Sequence, residues 1–353
     1  MNYDIAQIGA VMAVTMHDVA RLAGVSIKTV SNVINDYPHI RPSTRERVVE
    51  AIKHLEYQPN ASARSLRSGR SRMIGLALPE LSLSYFAELA DNVMRAAERR
   101  DLVVLIEQTN GDREKELAVL SGPQLPMIDG LLFSPQDMGE EDMSALTTNI
   151  PLVLLGERIF GAPVDHVTMQ NVAGARAATR HLISLGRRRI AVIGAPDDHE
   201  ISTSGLRLRG YREALADAGI PYDDALRLRA TPWHREQGSL AIRELVATRV
   251  EFDAVFAFND TLALGAMHAL QVAGLRIPDD VAVIGWDALD DAKYSIPTLT
   301  TLDPGREKIA ELAVDLLVER IEHRGEPFSP EEIEVDFSII ERESTPEAVQ
   351  AVA

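Results

Sequence analysis

Two sets of residues in this chain could do chemistry. The first is Lys28, Ser31 and Asn32, within S-I-K-T-V-S-N-V-I-N. At about 100° per residue, Val30, Val33 and Ile34 fall on one side of a helix and are expected to pack on Val19 and Leu22 of a preceding helix. Lys28 and Asn32 then point outward with Ser31 beside them. Ala20 is small where two helices would cross, and Gly24 sits where the turn needs a positive φ. The segment reads as a helix-turn-helix with a polar face able to meet DNA. A plain helical hairpin with a solvated face is the competing reading.

The second set lies just after a series of short apolar runs, where open parallel sheets bind ligands. Tyr85 and Phe86 follow MIGLAL, Gln108 follows LVVLIE, and Glu157 and Arg158 follow LVLLG. Arg207 comes after IAVIG, Trp233 lies in a loop, Asn259 and Asp260 follow AVFAF, and Asp287 follows VAVIGW. Aromatic platforms with carboxylates, an amide and an arginine suit a polyhydroxylated ring. The aromatic stacks on its apolar face while the polar groups make paired bonds to adjacent hydroxyls. Asp260 reads rather as the structural cap of the helix TLALGAMHAL, and Trp286 as core. Glu157 and Trp233 also have structural readings.

The elements that must position these residues change character along the chain. Residues 16–58 read as helices only, with Thr15 and Ser26 as N-caps and Ser43 with Glu46 as a capping box for the third helix. After residue 72, near-continuous apolar runs alternate with amphipathic helices, which implies parallel sheets covered on both faces. The fold class is therefore α/β: an N-terminal all-α helix-turn-helix domain, then a core of two doubly wound parallel subdomains. The Ser- and Arg-rich stretch 59–71 is the junction. The expected division is an N-terminal extension (1–14), a helix-turn-helix domain (15–59), a linker (60–71) and a core (72–353). Within the core, one subdomain takes about 72–171 and 303–330, the other about 172–302 and 331–345.

Composition bounds the function. The chain has 353 residues, 46% apolar and 25% charged, ample for a globular core. No run approaches the roughly 18 apolar residues of a membrane span. There are no cysteines, which excludes a disulfide scaffold, a thiolate metal site and a cysteine nucleophile, and fits a reducing cytoplasm. The first residues lack a secretory signal's basic start and long apolar run; they read as an extension, or as a start placed upstream of Met12 or Met16. The net charge of −17 argues against a nucleic-acid partner until it is divided. Residues 1–72 carry +4 and the remainder −21, a basic module on an acidic body. No G-x-S-x-G, H-E-x-x-H or P-loop is present, so the chain does not read as an enzyme, and no metal or cofactor is expected.

The string V-T-M-H-D-V-A-R-L-A-G-V-S-I-K-T-V-S-N-V-I-N, continued by R-P-S-T-R-E-R-V-V-E-A-I-K-H-L-E-Y-Q-P-N-A-S-A-R-S-L and the C-terminal I-I-E-R-E-S-T, resembles the lactose/galactose repressor (LacI/GalR) family. The resemblance covers nearly the whole chain after residue 13. It implies a homodimeric, sequence-specific repressor of carbohydrate-utilisation genes on a pseudo-palindromic operator. Ile27, Lys28 and Asn32 would read bases, with Lys28 suited to guanine, Asn32 to adenine and Ile27 to a thymine methyl; a partly buried Ile27 is the alternative. Thr15, Thr29 and Ser31 would bind the backbone. A hinge helix carrying Asn60, Ala63, Arg64 and Arg67 would press Leu66 into a base step from the minor groove.

The resemblance also matches Arg207 to the family's R-x-x-G-[YFW], Asp287 to G-[YFW]-D and Asn259 to A-x-N-D, which implies a small sugar-like effector. L-S-L-S-Y-F-A-E departs from the family pattern, where an Asp or Asn usually precedes the aromatic pair, and so leaves the ligand's identity open. A purine effector, a protein corepressor and a solute-binding protein of the periplasmic type are the competing readings.

Overall fold

The structure is a computed structural model that describes residues 14–34, 37–57, 70–195 and 202–346. It divides into two compact units, one ending at Ser71 and the other starting at Arg72. In the first, α1 (Met16–Ala23), α2 (Ile27–Ile34) and α3 (Pro42–His54) enclose a small core of Val19, Ala20, Ala23, Val30, Val33, Val48, Ala51 and Tyr57. Gly24 has φ 65° and ends α1. Leu22 differs from expectation: it is 52% exposed. On α1 it lies about 100° from the line through Val19, Ala20 and Ala23, and those smaller residues let the helices approach closely.

The caps explain where these helices begin. Asp18 accepts hydrogen bonds from the Thr15 amide (3.0 Å) and hydroxyl (2.7 Å). The Ser26 hydroxyl accepts the Thr29 amide (3.1 Å). The expected Ser43–Glu46 box does not form. Instead α3 opens at Pro42, and the Arg41 carbonyl accepts Thr44 and Arg45 amides at 2.9 and 3.0 Å. Proline has its φ set for a first helical position and lacks the amide that would need a cap, so the helix starts before Ser43 can serve.

The second unit begins with β1 (Met73–Leu78), α4 (Ser84–Glu98), β2 (Val103–Gln108), α5 (Arg113–Val119), β3 (Gly130–Phe133), β4 (Leu152–Leu155) and β5 (Asp165–Met169). It continues through α6 (Asn171–Ser184), β6 (Ile190–Ala195), α7 (Thr203–Asp217), β7 (Arg227–Arg229), α8 (Arg235–Thr248), β8 (Ala254–Ala257) and α9 (Asp260–Val272). It closes with β9 (Ala282–Trp286), α10 (Asp291–Tyr294), β10 (Thr300–Asp303), α11 (Arg306–Glu322), β11 (Glu332–Val335) and β12 (Ser338–Ile340). The strands form two six-stranded sheets, ordered β11-β5-β4-β3-β1-β2 and β12-β10-β9-β8-β6-β7. Every pairing is parallel except β10 with β12. Helices cover the faces, so strands such as β3, β4, β8 and β9 are buried along their whole length.

The seven apolar runs became strands, and five further strands joined them. β5 contains Asp165, His166 and Thr168, yet every residue in it is buried. Arg320 of α11 grips the Asp165 carboxylate with two hydrogen bonds (2.7 and 3.1 Å), the Glu331 amide adds a third (2.9 Å), and His166 bonds the Gly156 carbonyl (2.5 Å). β11 pairs with β5 in the first sheet, so the subdomain boundary drawn at 331 falls before that strand rather than after it. Hydrogen bonding along the β5 edge decides this, and hydropathy does not show it.

Asp165 is fully buried and Arg320 is its cation. Removing the cation leaves a carboxylate in the core, which costs about 3–5 kcal/mol. Arg320→Ala is expected to lose that much in urea denaturation, and a loss below about 1 kcal/mol would show the pair to be worth no more than a surface one.

Candidate functional site

A cavity of about 440 Å³ opens at the carboxyl ends of the strands of both sheets. Tyr85 and Phe86 enter it from the first turn of α4, their rings 5.2 Å apart and nearly perpendicular. Glu157 and Arg158 line it beyond β4, Arg207 from α7, Trp233 from the loop before α8, Asn259 beyond β8 and Asp287 beyond β9. A wider groove of about 930 Å³, between residues 146–152 and 319–331, lies at the amino ends of β4 and β5 and is more open to solvent. Parallel sheets bind ligands at the other end, and the candidate residues converge there.

Arg207 forms the cavity's floor and is 2% exposed. Its Nε donates to Asn171 Oδ1 (2.8 Å), Nη2 to the Met169 sulfur (3.3 Å) and Nη1 to the Phe258 carbonyl. The guanidinium lies 3.9 Å from the Trp286 ring centroid and 5.5 Å from that of Trp233. Burial lowers its pKa, while Asp287, Glu157 and Tyr85 oppose that shift. Trp286 is buried beneath it and does not line the cavity. Helix α6 rests directly on that indole, since a Cβ at Gly174 would come within 2.6 Å of it.

The acidic groups divide by environment. Glu157 accepts the Thr203 hydroxyl (2.6 Å) and the Thr168 hydroxyl (3.4 Å). Burial raises the Asp287 carboxyl well above the usual range, and the Arg207 charge only partly offsets this. Among the described residues no hydrogen bond reaches the Asp287 carboxylate, so it faces the cavity in need of donors. Burial, Glu157 and Asp287 all raise the Tyr85 hydroxyl, which stays protonated and able to donate. Such a lining, with its one deep cation already surrounded, is matched to a neutral ligand rich in hydroxyl or N–H groups.

Two candidates have different places from those expected. Gln108 does not line the cavity; its Oε1 accepts the Leu81 amide (3.0 Å) and its Nε2 donates to Asn110 (2.5 Å). It ends an edge strand, so its side chain stands behind Asn110, which does line the cavity. Asn259, rather than Asp260, caps α9: its Oδ1 accepts the Leu262 amide (2.7 Å), while its Nδ2 holds the Trp233 carbonyl (3.2 Å). Asp260 lies inside the helix and accepts the Thr301 hydroxyl (2.6 Å) and the Leu289 amide (2.9 Å).

Several lining residues went unnoticed in the sequence: Glu80, Asn110, Ser134, Gln136, Thr168 and Thr203. The strand-end rule would have found Asn110, Ser134 and Gln136, which follow β2 and β3. Behind them, fully buried Glu116 accepts the amides of Gln136 (2.7 Å), Asp137 (3.1 Å) and Met138 (2.8 Å) and so shapes the loop.

On the first unit, Lys28 is exposed, and Ile27, Thr29 and Asn32 are half-buried. Ile27 packs partly on the core, and the Thr29 hydroxyl bonds Ser26 (2.9 Å). Ser31 is buried at 6%, which takes it off the outward face: it lies on the side of α2 that meets the other helices. Thr15 is exposed at the start of α1. Asn60, Ala63, Arg64, Leu66 and Arg67 lie outside the described residues. Among the described residues no cluster of acidic, histidine or cysteine side chains could hold a metal, and no helix is long and apolar enough to cross a membrane.

Asp260 gives a pH signature. Burial pushes its carboxyl up to about 7 from 3.8, so the folded state binds its proton more tightly than the unfolded chain does. Its stabilising contribution is complete below about pH 4 and is lost as pH rises through about 7, up to roughly 4 kcal/mol in all. Asp260→Asn is expected to remove this slope from urea midpoints measured between pH 4 and 8. Parallel curves for the two proteins would contradict it.

Residues 15–60 match bacterial regulatory proteins of the lacI family, and residues 179–345 match a periplasmic binding protein-like domain. The HTH-type transcriptional repressor PurR of Erwinia tasmaniensis is 35% identical over 94% of this chain and 96% of its own length. The structure of a CelR–cellobiose complex is 32% identical over 94% of this chain and 99% of that one, with a TM-score of 0.68. The lac repressor dimer bound to operator and the anti-inducer ONPF is 27% identical over 94% and 99%, with a TM-score of 0.81. The chain belongs to the lacI family of bacterial regulatory proteins, as a helix-turn-helix DNA-binding transcriptional regulator with a periplasmic-binding-protein-like core.

Proposed function

We propose that this regulator is a dimeric repressor of carbohydrate-utilisation genes whose operator affinity is set by a small, neutral sugar in the cavity. The observation that carries the reading is the lining itself. The Asp287 carboxyl wants donors, Tyr85 offers one, Arg207 is already enclosed, and Tyr85, Phe86 and Trp233 supply flat apolar faces. A pyranose presents hydroxyls around its rim and C–H groups on its faces, and so satisfies both. CelR, a structural neighbour, is known with cellobiose bound. Occupancy changes the relation between the two halves of the core, and in a dimer that alters how the two helix-turn-helix units meet the operator. Effector and operator affinities are then reciprocally coupled, typically by about 1–3 kcal/mol.

A purine effector is the second reading, favoured by the paired aromatic rings, which offer faces to a flat heterocycle. Calorimetry with mono- and disaccharides, then nucleobases, separates the two. Arg207→Ala is expected to abolish the operator response to whichever compound binds while operator affinity without it stays within about twofold; a variant that still responds would place the site elsewhere.

On the DNA side, exposed Lys28 is the base-reading cation. Lys28→Ala is expected to cost roughly 1–3 kcal/mol, concentrated at one base pair of the operator in a mobility-shift series. A loss spread evenly over all sequences would reassign Lys28 to phosphate.

A further inference from the structure

We propose that Arg306 is the positioning residue for Asp287: one guanidinium fixes the backbone of that cavity-facing aspartate and locks it to α4, the helix that carries Tyr85 and Phe86. This rests on the cavity being the effector site. Arg306 opens α11, at the point where the chain crosses from the second sheet back to the first. Its side chain is 11% exposed. Nη1 donates to the Asp287 carbonyl (2.5 Å), and Nη2 pairs with the Glu88 carboxylate on α4. The guanidinium carbon stands 6.0 Å from the Tyr85 ring centroid. Glu88 reaches the same loop independently, through its other oxygen and the Asp290 amide (3.3 Å).

The loop needs such support. Asp287 has φ 114° and Ala288 has φ 52°, two successive non-glycine residues in the left-handed region. Backbone of that kind persists only where its surroundings over-determine it. From the second half, the Asp287 amide bonds the Leu302 carbonyl (2.8 Å), the Ala288 amide bonds Thr301 (3.2 Å) and the Leu289 amide bonds Asp260. Arg306 and Glu88 bring the restraint from the first half. The Arg306 Nε–H is buried without an acceptor among the described residues, a cost a residue chosen for packing alone would not carry. The aspartate and the aromatic pair are thereby held to one another across the cavity by a residue that does not line it.

The test is amide exchange on the full chain, read on peptides covering residues 286–291, with thermal midpoints measured alongside. In Arg306→Met this segment is expected to exchange roughly tenfold faster or more, while peptides from β6 and β8 stay native. Arg306→Lys recovers part of the protection, because an ammonium still donates to the carbonyl. The reciprocal variant Glu88→Arg/Arg306→Glu restores the ion pair but not the protection, because a carboxylate at 306 has nothing to donate. Native exchange in Arg306→Met, no recovery in Arg306→Lys, or full protection in the reciprocal variant would overturn the proposal. If Arg306→Met does not fold, Arg306→Ala, which also has nothing to donate, is read in the same way. The measurement needs no ligand, so failure of the sugar reading and failure of this one are told apart.

Discussion

A guanidinium taken out of water has to be enclosed on every side, and the enclosure of Arg207 organises the core. Met169 and Asn171, at the first crossing between the sheets, receive two of its nitrogens. Phe258, beyond β8, receives the third. Trp286 supplies the face beneath it and is itself pinned by α6 at Gly174. Glu157 from the first half and Asp287 from the second supply the opposing charge. Change in any one of these contacts is felt by the charge, so the floor of the cavity is rigid and belongs to both halves at once.

Two buried carboxyls at the ends of neighbouring strands show how environment separates structure from binding. Asp260 has a hydroxyl and an amide to satisfy it, and it ties α9 to β10 and to the loop beyond β9. Asp287, a short distance on, has its backbone held at both ends while its carboxylate is left open to the cavity. Burial raises both. The first is a fastening; the second is a receptor for hydrogen-bond donors. Residue type does not distinguish them, and the hydrogen-bond partners do.

Hydropathy located β1, β3, β4, β6, β8 and β9, because a strand buried on both faces has no polar positions to spare, and it located β2, an edge strand that is apolar in sequence although largely exposed. Of the five strands it missed, β5 and β10 hold Asp165, Thr300 and Thr301, which are buried by pairing with Arg320, Ser344, Thr345 and Asp260 rather than by being apolar. The partners of Asp165 and Thr300 lie more than 40 residues away in sequence. The strand-end rule gathered Tyr85, Phe86, Glu157, Arg207, Trp233, Asn259 and Asp287 around one cavity, but it could not separate Gln108, which stands behind, from Asn110, which faces inward. Local rules went astray where two compete: Pro42 started a helix that Ser43 had been expected to cap, and Asn259 took the cap expected of Asp260.

Local patterns in this chain are enough for its class. Helical periodicity, a turn glycine and alternating apolar runs each act within a few residues, and together they specify a helix-turn-helix ahead of two parallel sheets. Chemistry at the cavity belongs to another scale. The state of Asp287, the burial of Arg207 and the standing of Asn259 as a cap depend on groups brought together by crossings between the sheets. Burial and hydrogen bonding are properties of assembled neighbours, and the order of residues along a chain does not say who those neighbours will be.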